Sequence, residues 1–224
     1  HTVMLTSSDA LGLTAGSLLG IAFNWFGDKF LDATELQGFP RWRWLVSCAY
    51  QLAVLPVVVG LGLHTNGLTQ QYLLNGWSAF RDATWERVYI YLLFGSQARD
   101  CNHYDNKLIF IHHLVVMGNC VATLFVPGGV GLFVLGTAIL EFGSAFFNFR
   151  VLYPKSNLLK YSYYGVMPVT NGVAMALGLY MAMNLQLALP LKSFFVTSIV
   201  GVCIGRQRHQ FKDMGWIGAK AHNE

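Results

Sequence analysis

The stretch 105–150 constrains this chain most. Two apolar runs meet there at Pro127-Gly128-Gly129, and each carries ionisable side chains well inside it: His112 and His113 in the first, Glu141 in the second. Each run is long enough to cross a hydrocarbon core of ~30 Å at ~1.5 Å per residue. Ionisable groups are costly in hydrocarbon, so they face a protein interior or a wet cavity. Helical spacing supplies that direction. His112, Val116, Asn119 and Thr123 fall on one face of the first run, with Asp105 one heptad before His112. Thr137, Glu141, Ser144 and Asn148 repeat the same steps on the second. The short Pro-Gly-Gly turn makes the two helices antiparallel neighbours whose polar stripes meet and hide from lipid. Counted in from Lys107 and Arg150, the His pair and Glu141 lie at similar depth and within reach of each other.

The rest of the chain agrees with a membrane setting. It is 54% hydrophobic and 12% charged, against about 25% charged in soluble domains. The fold class expected is all-α: a polytopic transmembrane helical bundle of about seven spans in a single domain over residues 1–224. The formal charge of +4 reads as topology signal, and no nucleic-acid partner is inferred. Cys48, Cys101, Cys120 and Cys203 have neither disulfide-framework nor zinc spacing. No P-loop, dinucleotide fingerprint or H-E-x-x-H motif appears.

Spans are expected over residues 9–27 and 44–63, then around 88–95, through the two central runs, over 161–183, and from the 184–192 connection to about 204. The first is rich in Gly and Ala, which suits close helix packing. Arg41-Trp42-Arg43-Trp44 reads as an interfacial signature. The apolar centre of the third span is short and borrows polar flanks to cross. Residues 206–224 read as a polar tail. This count places twelve Lys and Arg on one side, among them Arg43, Arg99, Arg150 and Arg206, and three on the other (Arg81, Arg87 and Lys192). The positive-inside rule then sets the N-terminus outside and the C-terminus inside.

The central hairpin resembles the TLC domain, named for the TRAM, Lag and CLN proteins. The resemblance rests on an aspartate after the third span (Asp100 or Asp105), the adjacent pair His112-His113, and Glu141-x-x-Ser144 followed by Asn148-x-Arg150. It implies a lipid-related role. Ceramide synthases of that family N-acylate sphingoid bases from acyl-CoA and use the His pair. Their paired aspartates correspond best to Glu141 and Ser144, so one carboxylate is replaced by a hydroxyl. Arg150 stands where they have Lys. The pattern is closer to the non-synthase branch, whose members are linked to lipid composition, lipid sensing and protein export from the endoplasmic reticulum. Residence in the endoplasmic reticulum is what the resemblance implies, with an organellar inner membrane as the alternative.

Two functions follow as expectations. In the first, the chain binds or handles membrane lipids or acyl chains in a polar intramembrane cavity, up to acyl transfer from acyl-CoA as substrate. His112, His113 and Glu141 would be catalytic, and Asp105, Asn119, Ser144, Asn148 and Arg150 would contact the lipid. In the second, it is a non-catalytic accessory subunit of a larger membrane complex, and the same polar residues lock helices together. No cofactor is assigned. No metal is assigned either, because adjacent histidines diverge by ~100° on a helix and a third ligand would have to be Glu141 or Asp105. Asp100 and Asp105 also fit as ion-pair partners of Arg99 and Lys107.

Overall fold

The computed structural model describes residues 6–101 and 107–217. Helix α1 (Ser7–Phe30) starts at a capping box, in which Thr6 and Asp9 each accept from the other's backbone N–H. Its glycines recur every fourth residue, at 12, 16 and 20, and form a strip without side chains. Along that strip α1 lies against α5 (Thr84–Asp100) so closely that a Cβ at Gly16 would strike the Tyr91 carbonyl, and one at Gly95 the Gly16 carbonyl. Small residues let helix backbones approach in this way in membranes.

A two-residue hairpin, β1 (Glu35–Leu36) with β2 (Phe39–Pro40), turns at Gln37 and Gly38, both with positive φ. It leads into α2 (Arg41–Ala49), a π-helical turn (Tyr50–Val54) and α3 (Leu55–Asn66), which form one rod. Pro56 cannot donate to the carbonyl four residues back and clashes with it, and the wider π turn directly upstream absorbs the mismatch. The short α4 (Gln70–Leu74) follows, packed on the Pro-Gly-Gly turn through hydrogen bonds from Gly129 N–H to the Leu74 and Asn75 carbonyls. Beyond α5 come α6 (Lys107–Phe125), α7 (Val130–Leu152), α8 (Asn157–Asn184) and α9 (Leu189–Asp213).

Among the described residues, five helices are long and apolar enough to cross a membrane: α1, the rod Arg41–Asn66, α7, α8 and α9. Large apolar side chains on α1, among them Leu11, Leu18, Leu19 and Trp25, stay exposed, as lipid-facing residues do. This is the architecture of an integral membrane protein.

Helix α5 is the middle of the bundle, packed against α1, α3, α6 and α7, with Tyr89, Ile90 and Leu93 fully buried. Its neighbours explain its weak apolar signal. A helix wrapped by protein carries Glu86, Gln97 and Arg99 out of contact with lipid, and all three are buried.

Three expectations are corrected. Helices α6 and α7 do not run packed along each other; α7 lies against α8 and α2, and α6 against α5 and α9. The turn fixes their ends, but voids separate their polar faces. Trp42 and Arg43 are not interfacial: both are buried in the first turn of α2. Arg206 does not open a tail, since α9 continues to Asp213. After α3, α4 and a 3-10 turn at Trp77–Ala79 plug one end of the bundle.

Candidate functional site

A cavity of about 570 Å³ opens among α2, α5, α6, α7, α8 and α9. It exists because α9 turns its smallest side chains inward: Thr197, Ser198, Gly201 and Gly205 line it. A Cβ at Gly201 or Gly205 would meet nothing within 4 Å. Aromatic and aliphatic side chains form much of the wall, including Trp44, Ile111, Phe147 and Phe194. Polar groups from all six of these helices converge on the same space.

Three connected sets of hydrogen bonds organise those groups. Gln51, carried on the π turn, donates from Nε2 to Glu141 Oε2 at 2.6 Å and accepts at Oε1 from Asn148 Nδ2 at 2.8 Å. Arg206 donates from Nη1 to Ser144 Oγ at 2.5 Å, from Nε to Asn171 Oδ1 at 2.8 Å and from Nη2 to the Leu140 carbonyl at 2.9 Å. Its Nη2 also lies 3.0 Å from Met167 Sδ. Arg99 grips Asp100 through Nε and Nη2 at 2.8 and 3.0 Å, and Nη2 also reaches Ser47 Oγ at 2.8 Å. These charge-assisted contacts are the strong class of hydrogen bond and fix the side chains to their helices.

The two histidines differ. His113 Nδ1 is 2.5 Å from Gln97 Oε1, so Nδ1 carries a proton and donates, because an amide oxygen only accepts. His112 lines the cavity beside it, the ring centroids 5.4 Å apart, with no hydrogen bond to any described residue. A smaller void of about 80 Å³ continues past His112 between α6, α7 and α9, lined by Asn119 and Thr137.

Arg43 stands apart. Its residue is 4% exposed, it lines the main cavity, and its Nε and Nη1 are enclosed without a hydrogen-bond partner. Its guanidinium lies 5.4 Å from the centre of the Trp42 ring, and the carboxylates of Asp28 and Asp100 act on it from beyond ion-pair distance. Tyr163 Oη, also in the cavity wall, is likewise enclosed and unpartnered.

Of the residues singled out from sequence, the cavity brings together His112, His113, Glu141, Ser144 and Asn148. The expected contact between the His pair and Glu141 is absent among the described residues: Glu141 bonds to Gln51, and the imidazoles face it across open space. Asn119 reaches only the smaller void and spends its amide on the Val115 carbonyl of its own helix. Arg150 does not line the cavity. It bonds the Pro154 carbonyl and lies 3.8 Å from Asp213, clamping the ends of α7 and α9. Asp105 lies outside the described residues, while Asp100 pairs with Arg99 as expected and also faces the cavity. Among the described residues no three His, Cys, Asp or Glu side chains gather as a metal would require.

Sequence reasoning did not assign Arg43, Gln51, Gln97 or Arg206 to the site. The signal for three of them was a polar residue inside or bordering an apolar run. Arg43 had been absorbed into an interfacial motif.

Comparison with protein-family models, with curated proteins and with solved structures finds no match.

Proposed function

We propose that this chain is a TLC-like multi-pass membrane protein that holds a membrane lipid or acyl chain in the cavity between α2, α6 and α9. One observation carries the reading: a void of about 570 Å³ with apolar walls and a cluster of fixed polar groups at His112, His113, Glu141, Ser144 and Arg206. Ligand sites are concave, mostly apolar and oriented by a few convergent polar groups, in volumes of roughly 300–1,000 Å³. A purely structural lock between helices would close that space, because buried polar groups gain most when packed directly on their partners.

Counting α5 and α6 with the five long spans gives seven crossings, with the N-terminus outside and the C-terminus inside. The distribution of Lys and Arg supports that orientation. Under it, single cysteines introduced at Gln37 and Lys155 react from the inner side, and those at Gln71 and Asn184 from the outer. Endoplasmic-reticulum residence belongs to the same TLC-like reading.

A photoactivatable fatty-acyl probe tests the lipid reading. Crosslinks at cavity-lining positions of α6 and α9, competed by unlabelled lipid, are the expected result. Labelling confined to the outward faces of α1 and α8 would contradict it.

A second reading, acyl transfer, is favoured by the unpartnered His112 ring in the cavity wall. A neutral imidazole there could take the proton of an amine or hydroxyl as it attacks an acyl thioester, with the thiol leaving. If the paired change His112→Ala and His113→Ala leaves cellular acyl-lipid composition unaltered, this reading fails.

A further inference from the structure

We infer that the cavity's ligand is an anionic amphiphile and that its charged group, a carboxylate or a phosphate, docks on Arg43. The inference rests on the lipid-cavity reading and adds the chemistry of the headgroup. It starts from charge accounting around the void.

Three guanidinium groups, Arg43, Arg99 and Arg206, surround two carboxylates, Asp100 and Glu141. Asp100 is gripped through both its oxygens by Arg99. Glu141 accepts from Gln51, and its compensating cation is Arg206, which is itself fixed on Ser144, Asn171 and the Leu140 carbonyl. Asp28, in the last turn of α1, accepts from Trp42 Nε1. Asp28 and Asp100 act on Arg43 only through space, and among the described residues Arg43 forms neither an ion pair nor a hydrogen bond although its residue is 4% exposed.

A buried unpaired cation is costly and persists where something outside the chain compensates it. A guanidinium presents a planar fork of donors, which matches the paired oxygens of a carboxylate or phosphate. The apolar wall formed by Trp44, Ile111, Phe147 and Phe194 takes the chain of the same molecule. A neutral lipid would fill the wall and leave Arg43 bare, and a small free anion would pair with Arg43 and leave the wall empty. An anionic amphiphile satisfies both.

The test uses the full chain in a non-ionic detergent and four probes: oleate, a lysophosphatidic acid with the same chain, oleyl alcohol and inorganic phosphate. Binding is read by change in tryptophan fluorescence, since Trp44 lines the void. At least one of the two anionic amphiphiles should bind about tenfold or more tighter than oleyl alcohol, the scale of a hydrogen bond to a charged group. Which of them binds tighter identifies the source of the charge. Arg43→Gln should bring anion and alcohol within about twofold of each other without weakening the alcohol. Lipid-free Arg43→Met should melt higher than wild type, because it removes a buried cation whose enclosed donors have no hydrogen-bond partner. A cation that merely holds the fold together gives the opposite shift.

Equal binding of oleate and its alcohol by wild type overturns the inference while leaving the lipid cavity standing. So does full discrimination retained in Arg43→Gln, or tight binding of inorganic phosphate alone. If no amphiphile binds, the lipid reading and this inference fail together.

Discussion

Replacing Arg206 by Met is the sharpest test of how the site is built. Arg206 makes three N–H···O hydrogen bonds, to Ser144, Asn171 and the Leu140 carbonyl, and it is the cation facing Glu141. Met keeps much of the length and none of the donors. Two magnitudes bracket the cost. Hydrogen bonds within membranes average ~0.6 kcal/mol each, so losing three removes about 2 kcal/mol. Removing one member of a buried charge pair in a protein interior costs about 3–5 kcal/mol, because the survivor is left uncompensated. The expected loss is therefore roughly 2–5 kcal/mol. At about 2–4 °C per kcal/mol for a chain of this size, the melting temperature should fall by roughly 4–20 °C. The assay is thermal unfolding in detergent, followed by tryptophan fluorescence. Glu141→Gln and the double variant complete a cycle. If the charges compensate each other, the double variant loses at least about 1 kcal/mol less than the sum of the singles. A drop under about 2 °C, or strict additivity, would refute the pairing.

Three further outcomes follow from the geometry. Gly16→Leu should separate α1 from α5, because its Cβ would collide with the Tyr91 backbone carbonyl, and overpacking of that kind costs about 1–3 kcal/mol. Gly60→Leu, with open space at its Cβ, serves as the control, and equal stability of the two variants in the same melt would contradict the close approach. Gln51→Leu strips a donor from Glu141 and an acceptor from Asn148 together, so a loss of about 1–3 kcal/mol is expected, and Gln51→Glu should be no better. Between α1 and the hairpin, hydrogen bonds from Thr34 hold the Asp32 carboxyl below its ordinary value of 3.8. A depressed carboxylate contributes stability above its unfolded value and loses it as pH falls through the folded one. Fluorescence of Trp44, whose Nε1 donates to the Leu36 carbonyl in the hairpin, should hold steady from pH 7 to pH 5 and change only in stronger acid. Asp32→Asn should remove that acid transition, and its persistence would show that another group causes it.

The membrane class and the polar stripes were legible in the sequence because lipid imposes one rule on every exposed residue. A helix that breaks the rule must turn its polar face inward, and the steps from Thr137 to Asn148 gave that face correctly. The glycine spacing in α1 was legible for the same reason. What could not be read was partner choice. A polar stripe shows which way residues point but not how far away their partners stand. Glu141 was therefore matched to the His pair, which lies at a similar depth on the facing run, when its partner is Gln51, 90 residues earlier. The π turn that carries Gln51 has no period to recognise, only Pro56 as a hint. Cations misled in a different way. Arg43 and Arg99 sit at helix ends and Arg206 just past an apolar run, where positive charge ordinarily marks topology, and nothing local separates a lipid-facing arginine from one folded back into a cavity. Arg150, singled out as a lipid contact, is the one that clamps helix ends.

The most direct measurement is native mass spectrometry of the protein released from its own membrane in mild detergent, wild type beside Gly201→Leu. That leucine grows from open space into the cavity without striking the backbone. The account predicts that wild type retains one defined lipid, and that Gly201→Leu, folded to the same melting temperature, loses it. Lipid retained equally by both, or by neither, would contradict the claim that this cavity holds a lipid.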